Sequence, residues 1–203
     1  MTAEPTYLAP YLDAARRHAG GFYSLLWASP NTQAARFDAI CRLSNLNNKS
    51  LLDLGCGHAD LLDYLLSRNI TPADYIGIEA VPQFIDISQA KKHRNAKIIQ
   101  ADFLDRPACM FVGADVIAIS GTLNTLSAEA FYSTIRRAFD ATAEQIVFNF
   151  LCKSSLAAAS YLTWHQLDDV SRFAHSLSGN VQILSDYLDG DCTIAITKEQ
   201  AHP

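Results

Sequence analysis

The chain has 203 residues, 49% hydrophobic and 18% charged, enough apolar mass for one full core and a tight fit for two domains. Its formal net charge of -5 weighs against a dedicated nucleic-acid binder, which needs a basic face to neutralise phosphates. No apolar stretch approaches the ~20 residues that span a bilayer, and Met1-Thr2-Ala3-Glu4-Pro5 lacks the basic and apolar regions of a signal peptide, so a soluble, cytoplasmic protein is expected.

Residues 7–19 are predicted helical, ending at Gly20-Gly21. Residues 30–43 form a second predicted helix, with Ser29 as N-cap and Pro30 in its first turn. Residues 1–49 are therefore expected to form a helical lid across the open end of a sheet or on its flank. Residues 50–203 are expected to form the core of the same single domain. Within it, residues 51–54 read as a buried strand, after which Leu61, Leu62, Leu65 and Leu66 recur at helical spacing. A second strand over 75–79 leads to a helix over 82–92 that opens on Pro82. Strands follow at 97–100 and 115–120, the latter apolar enough to be central. Ser127 caps a helix over 127–141 that turns Phe131, Ile135, Ala138 and Phe139 to one face. A fifth strand at 145–151 precedes a helix at 166–177. Runs at 181–184 and 192–197 then flank Asp189-Gly190-Asp191, a turn signal for a closing hairpin. The alternation predicts an α/β fold: a doubly wound, mostly parallel, Rossmann-like sheet with a C-terminal antiparallel hairpin and an N-terminal helical lid.

The five cysteines, Cys41, Cys56, Cys109, Cys152 and Cys192, are widely spaced and form no C-x-x-C pair. They suggest neither a disulfide framework nor a metal site, and read as small buried hydrophobes of a reduced protein. The basic runs Arg16-Arg17-His18 and Lys91-Lys92-His93-Arg94 read as solvated helix faces or ends.

The strongest chemical signal is Leu51-Leu52-Asp53-Leu54-Gly55-Cys56-Gly57-His58-Ala59-Asp60-Leu61-Leu62, an apolar strand running through a Gly-x-Gly turn into a leucine-rich helix. Glycine lets the backbone turn sharply and lets a ligand approach the peptide atoms. A dinucleotide pyrophosphate would want bare N–H groups and a third glycine there; Asp60 holds that place and Asp53 ends the strand. Two carboxylates would repel a pyrophosphate, whereas they suit a positive sulfonium and ammonium. Glu79 ends the second strand, where a carboxylate can take both ribose hydroxyls. Asp102-Phe103 follows the third strand, positioned for an adenine edge, and Ser120-Gly121 ends the fourth at the same pocket.

These motifs resemble the class I S-adenosylmethionine-dependent methyltransferase family over residues 51–150, half the chain. The resemblance implies that Asp53, Gly55, Cys56 and Gly57 form the glycine-rich cosubstrate turn, with Glu79 and Ala80 at the ribose and Asp102 and Phe103 at the adenine. The family's frequent third glycine is Ala59 here, a mild departure. No Asn/Asp-Pro-Pro-Tyr segment follows the fourth strand, so the amino- and base-methylating branches are disfavoured. Cys56 reads as chosen for size, and His58 as a solvent-facing loop residue.

Before the sheet, Tyr23, Trp27, Gln33 and Arg36 form a second constellation. Gln33 and Arg36 share a helix face, so Arg36 is a candidate partner for the methionine carboxylate. Tyr23 or Trp27 is a candidate to close over the sulfonium by cation–π attraction. Methyl transfer needs alignment and exclusion of water more than a base. Asn124, Tyr11, Tyr161, Trp164 and His165 are candidates at the mouth, His165 being the one histidine considered as a base. An aromatic, weakly charged lid (Tyr7, Tyr11, Phe22, Tyr23, Trp27) suggests a small, partly apolar acceptor with a hydroxyl or amine, handled by a monomer or homodimer. The rival readings are a non-catalytic cosubstrate-binding module and a nicotinamide-dependent oxidoreductase.

Overall fold

The computed structural model describes residues 6–199; the segment 1–5, on which the signal-peptide reading rests, lies outside the described residues. Two helices come first, α1 (Ala9–Arg17) and α2 (Pro30–Leu43), joined through a 3-10 turn at Phe22–Leu25. Then come β1 (Ser50–Leu54), α3 (Asp60–Ser67), β2 (Asp74–Glu79), α4 (Pro82–Ala90), β3 (Ala96–Gln100) and β4 (Val116–Ile119). The chain continues with α5 (Ala128–Ala141), β5 (Gln145–Leu151), α6 (Leu167–Leu177), β6 (Asn180–Leu184) and β7 (Asp191–Thr197).

The seven strands form one sheet in the order β3-β2-β1-β4-β5-β7-β6. β1 to β5 run parallel, and β7 lies antiparallel between β5 and β6. Period-two alternation sorts the side chains of each strand between the two faces. Leu52, Ile117, Ile146, Phe148 and Ile194 pack with Phe131 and Ile135 of α5 and Val170 of α6. Leu51, Val116, Ala118, Val147 and Ala195 pack with Phe37 and Ile40 of α2 and Leu62 and Leu65 of α3. Burial on both faces is why these strands read as continuous apolar runs. The expected α/β architecture is the observed one, with α2 on a flank. Among the described residues no helix is long and apolar enough to cross a membrane.

Local chemistry explains the element ends. The Ser127 hydroxyl accepts the Ala130 N–H at the start of α5. At α2 the Ser29 hydroxyl accepts the Thr32 N–H while the Thr32 hydroxyl accepts the Ser29 N–H, a reciprocal cap. The final hairpin differs from expectation: Asp191 already belongs to β7, and the connection spans residues 185–190. All five cysteines are free thiols, as their spacing suggested, but only Cys56 and Cys192 are buried. Cys152, just past β5, meets Cys192 of β7 with the two Sγ atoms 2.7 Å apart.

Candidate functional site

The carboxyl ends of the parallel strands open into a cleft roofed by α1 and the segment leading into α2. β1 delivers Asp53 and then bends at Gly55, whose φ of +78° lies in the left-handed region. The Gly55 and Cys56 N–H groups both donate to the Ile78 carbonyl, folding the turn against β2. A Cβ at Gly55 would stand 2.2 Å from Thr122 Oγ1, and one at Gly57 would stand 2.7 Å from Leu25 Cδ2. The turn is thus packed by its neighbours as well as bent. Ala59, in the place of the family's third glycine, sits buried at φ +58°, a conformation costing an alanine about 1 kcal/mol.

Glu79 locks this turn to the end of β2. Its Oε2 accepts the Gly57 N–H at 2.8 Å, and its Oε1 accepts the Ala80 and Val81 N–H groups, each at 2.8 Å. Burial raises its pKa, while those three donors pull it back. Asp53 is buried and accepts the Tyr75 hydroxyl at 2.6 Å. Burial, with the charges of Glu79 and Asp60 adding to it, lifts the Asp53 carboxyl from 3.8 to about 7 against that hydrogen bond.

The expectation for Asp60 needs correction. It pairs with Lys91 Nζ at 2.7 Å and accepts the Gln33 amide at 3.0 Å, so its charge is compensated. The second basic run is accordingly not a plain solvated end, because Lys91 also reaches Asp63. The negative potential of the cleft rests on Asp53 and Glu79, with Asp102 at the far edge. Asp102 Oδ1 accepts the Leu104 N–H at 2.9 Å, and its charge, after burial itself, holds the Tyr7 phenol above its usual range. Ala80, Phe103, Ser120 and Gly121 complete this wall.

Arg36 is buried and faces the cleft, its Nε and Nη2 donating to Asp191. Trp27 lies over its guanidinium at 5.1 Å and against Gly121, where a Cβ would be 3.2 Å from the indole. Trp27 closes the cleft. Tyr23 does not: it is 58% exposed and stacks edge-on with Phe22, and neither lines the cleft.

Among the mouth candidates, Tyr11 and Asn124 line the cleft and His165 does not. The His165 N–H donates to the Leu151 carbonyl, which draws the ring onto α5, stacked 3.9 Å from Phe131. Burial lowers its pKa there. His165 is a packing residue, turned away from the cleft where a base would act. His58 is likewise not solvent-facing; it is buried edge-on against Phe84 at 5.0 Å. Cys56 is buried, and burial pushes its thiol well up, so size explains it better than reactivity. Asn124 Oδ1 accepts the Leu151 N–H, while its carbonyl accepts the Thr163 N–H at 2.7 Å. Burial lifts the Tyr11 phenol to about 12, so it stays protonated near neutrality. Tyr161 and Trp164 are exposed, and Leu162 between them reaches the cleft; no spacing signal marked it.

The Asp53 shift gives a pH test. A carboxyl raised on folding takes up a proton below its folded pKa, so Asp53 lowers stability progressively from about pH 4 to about pH 7. Above pH 7 it is ionised and attracts a cation. S-adenosylmethionine affinity is expected to rise about tenfold between about pH 6 and about pH 8, and Asp53→Asn to flatten the profile. Calorimetry at the two pH values decides; a flat wild-type profile rejects this role.

The residues present fit a zwitterionic adenosyl sulfonium: glycine positions that a Cβ would fill, two buried carboxylates, and one buried guanidinium. Comparison with known proteins agrees. A family model described as "Methyltransferase domain" matches residues 52–141. "Putative methyltransferase Rv1506c" of Mycobacterium tuberculosis (strain ATCC 25618 / H37Rv) is 31% identical over 160 residues, covering 73% of this chain and 93% of that protein. Magnesium protoporphyrin IX methyltransferase from Synechocystis PCC 6803 with bound S-adenosylhomocysteine has a similar fold, with TM-score 0.68, 10% identity, and coverage of 96% of this chain and 99% of that one. The DhpI-SAM-HEP complex gives TM-score 0.71 at 11% identity, covering 98% and 100%. The methyltransferase domain of a bacterial Hen1 gives 0.64 at 14%, covering 83% and 100%.

Proposed function

The chain belongs to the class I S-adenosylmethionine-dependent methyltransferases, and from that premise we propose that its acceptor is a small, uncharged, partly apolar molecule carrying a hydroxyl or amine. One observation carries the proposal. The charged cleft residues Asp53, Asp60, Glu79, Asp102 and Arg36 all belong to the strand ends, α3 and α2. The opposite wall is Tyr7, Leu8, Tyr11, Leu25, Leu26 and Leu162. Such a wall favours an acceptor with apolar surface and one polar handle. It offers nothing to a run of phosphates.

In this reading Asp53, Gly55, Cys56, Gly57, Glu79, Ala80, Asp102, Phe103, Ser120, Gly121, Arg36 and Trp27 hold the cosubstrate. S-adenosylmethionine supplies a methyl on sulfonium, already activated for in-line displacement by a lone pair. The chain's own work is alignment and dryness. Trp27 and Tyr7 exclude water, while Tyr11, whose phenol keeps its proton, and Asn124 orient the acceptor atom.

The test is radiolabelled methyl transfer to a panel of phenols, alcohols, amines, carboxylates and RNA, beside calorimetry with S-adenosylhomocysteine and NAD. Label on a neutral hydroxyl or amine supports the proposal. Label confined to RNA overturns the acceptor class. S-adenosylhomocysteine binding with no acceptor labelled would favour a binding module, and NAD binding alone an oxidoreductase.

A further inference from the structure

A one-way hydrogen-bond chain runs behind the cleft and joins two of its walls. The Ser120 hydroxyl, at the end of β4, donates to Asn149 Oδ1 on β5 at 2.6 Å. Asn149 Nδ2 donates to the Thr193 hydroxyl on β7 at 2.7 Å. Thr193 donates to the Tyr187 hydroxyl at 2.7 Å, and Tyr187 donates to Asp191 Oδ1. Asp191 Oδ2 then accepts both Nε, at 2.6 Å, and Nη2 of Arg36. Ser120 donates at the head of the series, and Thr193 and Tyr187 each accept once and donate once, so the carboxylate at its end fixes the proton arrangement.

Asp191 and Tyr187 do not line the cleft, yet Arg36 does. The Asp191 bonds occupy one edge of the guanidinium, and Trp27 covers its face. The remaining nitrogen, Nη1, lies 3.9 Å from where a Gly121 Cβ would be, just past β4 on the wall of the same cleft as Gly55 and Gly57. A buried Arg–Asp pair offers little net stability, because desolvation of both charges offsets their attraction. Its use is to present the free edge of a fork that matches a carboxylate. Elsewhere the cleft is acidic, so Arg36 is where an anionic end of a zwitterion is received.

Resting on the cosubstrate reading above, we propose that Asp191 and Tyr187 are positioning residues that hold Arg36 ready for the carboxylate of the cosubstrate's methionyl arm.

The test compares two ligands by calorimetry: S-adenosylhomocysteine, which has that carboxylate, and 5′-methylthioadenosine, which lacks the amino-acid arm. Tyr187→Phe is expected to weaken S-adenosylhomocysteine about fivefold and Asp191→Asn about thirtyfold, with 5′-methylthioadenosine within about twofold of wild type. Equal losses for both ligands would mean a merely structural role and overturn the proposal, as would no loss for either. Arg36→Ala separates the layers. If it selectively weakens S-adenosylhomocysteine while the other two variants do not, the positioning role falls and the cosubstrate reading stands. If Arg36→Ala itself leaves S-adenosylhomocysteine untouched, the reading of Arg36 falls first. Should Asp191→Asn fail to fold in a thermal melt, Tyr187→Phe, which keeps the ion pair, decides alone.

Discussion

Replacing Glu79 with glutamine is expected to weaken S-adenosylhomocysteine binding by at least about 100-fold and to destabilise the fold by about 2–4 kcal/mol. The cause is the donor count. The Glu79 carboxylate accepts three main-chain N–H groups, from Gly57, Ala80 and Val81, through both of its oxygens. An amide has one oxygen. Its NH2 must face at least one N–H, leaving a buried donor unpaired and the Gly57 turn released from β2. The size of the side chain is unchanged, so a loss reports hydrogen bonding and charge rather than packing. Calorimetry and urea unfolding of the two proteins would measure it, and a variant that binds like wild type removes Glu79 from the site.

Gly55→Ala is expected to cost about 3–4 kcal/mol of stability from two separable sources. The first is conformational, since φ at Gly55 is +78° and an L side chain pays about 1–2 kcal/mol there. The second is steric: the new methyl would lie 2.2 Å from Thr122 Oγ1 and 2.7 Å from Thr122 Cγ2. Thr122 cannot swing away freely, because its hydroxyl bonds the Gly55 carbonyl at 3.3 Å. Adding Thr122→Ala removes the two closest atoms and leaves only the Thr122 Cβ, at 2.9 Å, so the double variant should recover part of the loss and retain the backbone strain. If the double variant is no more stable than Gly55→Ala, the clash is not the cause.

What the sequence disclosed and what it hid follow from the range of each interaction. The Gly55–Gly57 turn, Glu79 and Asp102 were legible because their strands are read locally and the fold rule places each strand's carboxyl end at the ligand. The two faces of the sheet were legible for the same reason. Arg36 was picked out by its helix face, but its partner Asp191 lies 155 residues away, and nothing local joins them. Asp60 was misjudged because Lys91, 31 residues on, neutralises it. His165 sits near the mouth in sequence, yet a single main-chain bond to Leu151 turns it onto Phe131 instead. Leu162 carried no signal, since one leucine in an irregular segment has no period to betray it. Pairing with residues outside the local pattern decided the first three.

The placement of β7 bears on biogenesis. Of the seven strands it leaves the ribosome last, yet it is inserted between β5 and β6, and it carries Asp191. A nascent chain halted before residue 191 would show a bare β5 edge and an Arg36 without its counter-ion. Domains emerging from the ribosome fold as units, and unpaired strand edges invite association. The buried Arg36–Asp191 pair can therefore form only once the final hairpin has been made, and translation products truncated before it are expected to be sticky.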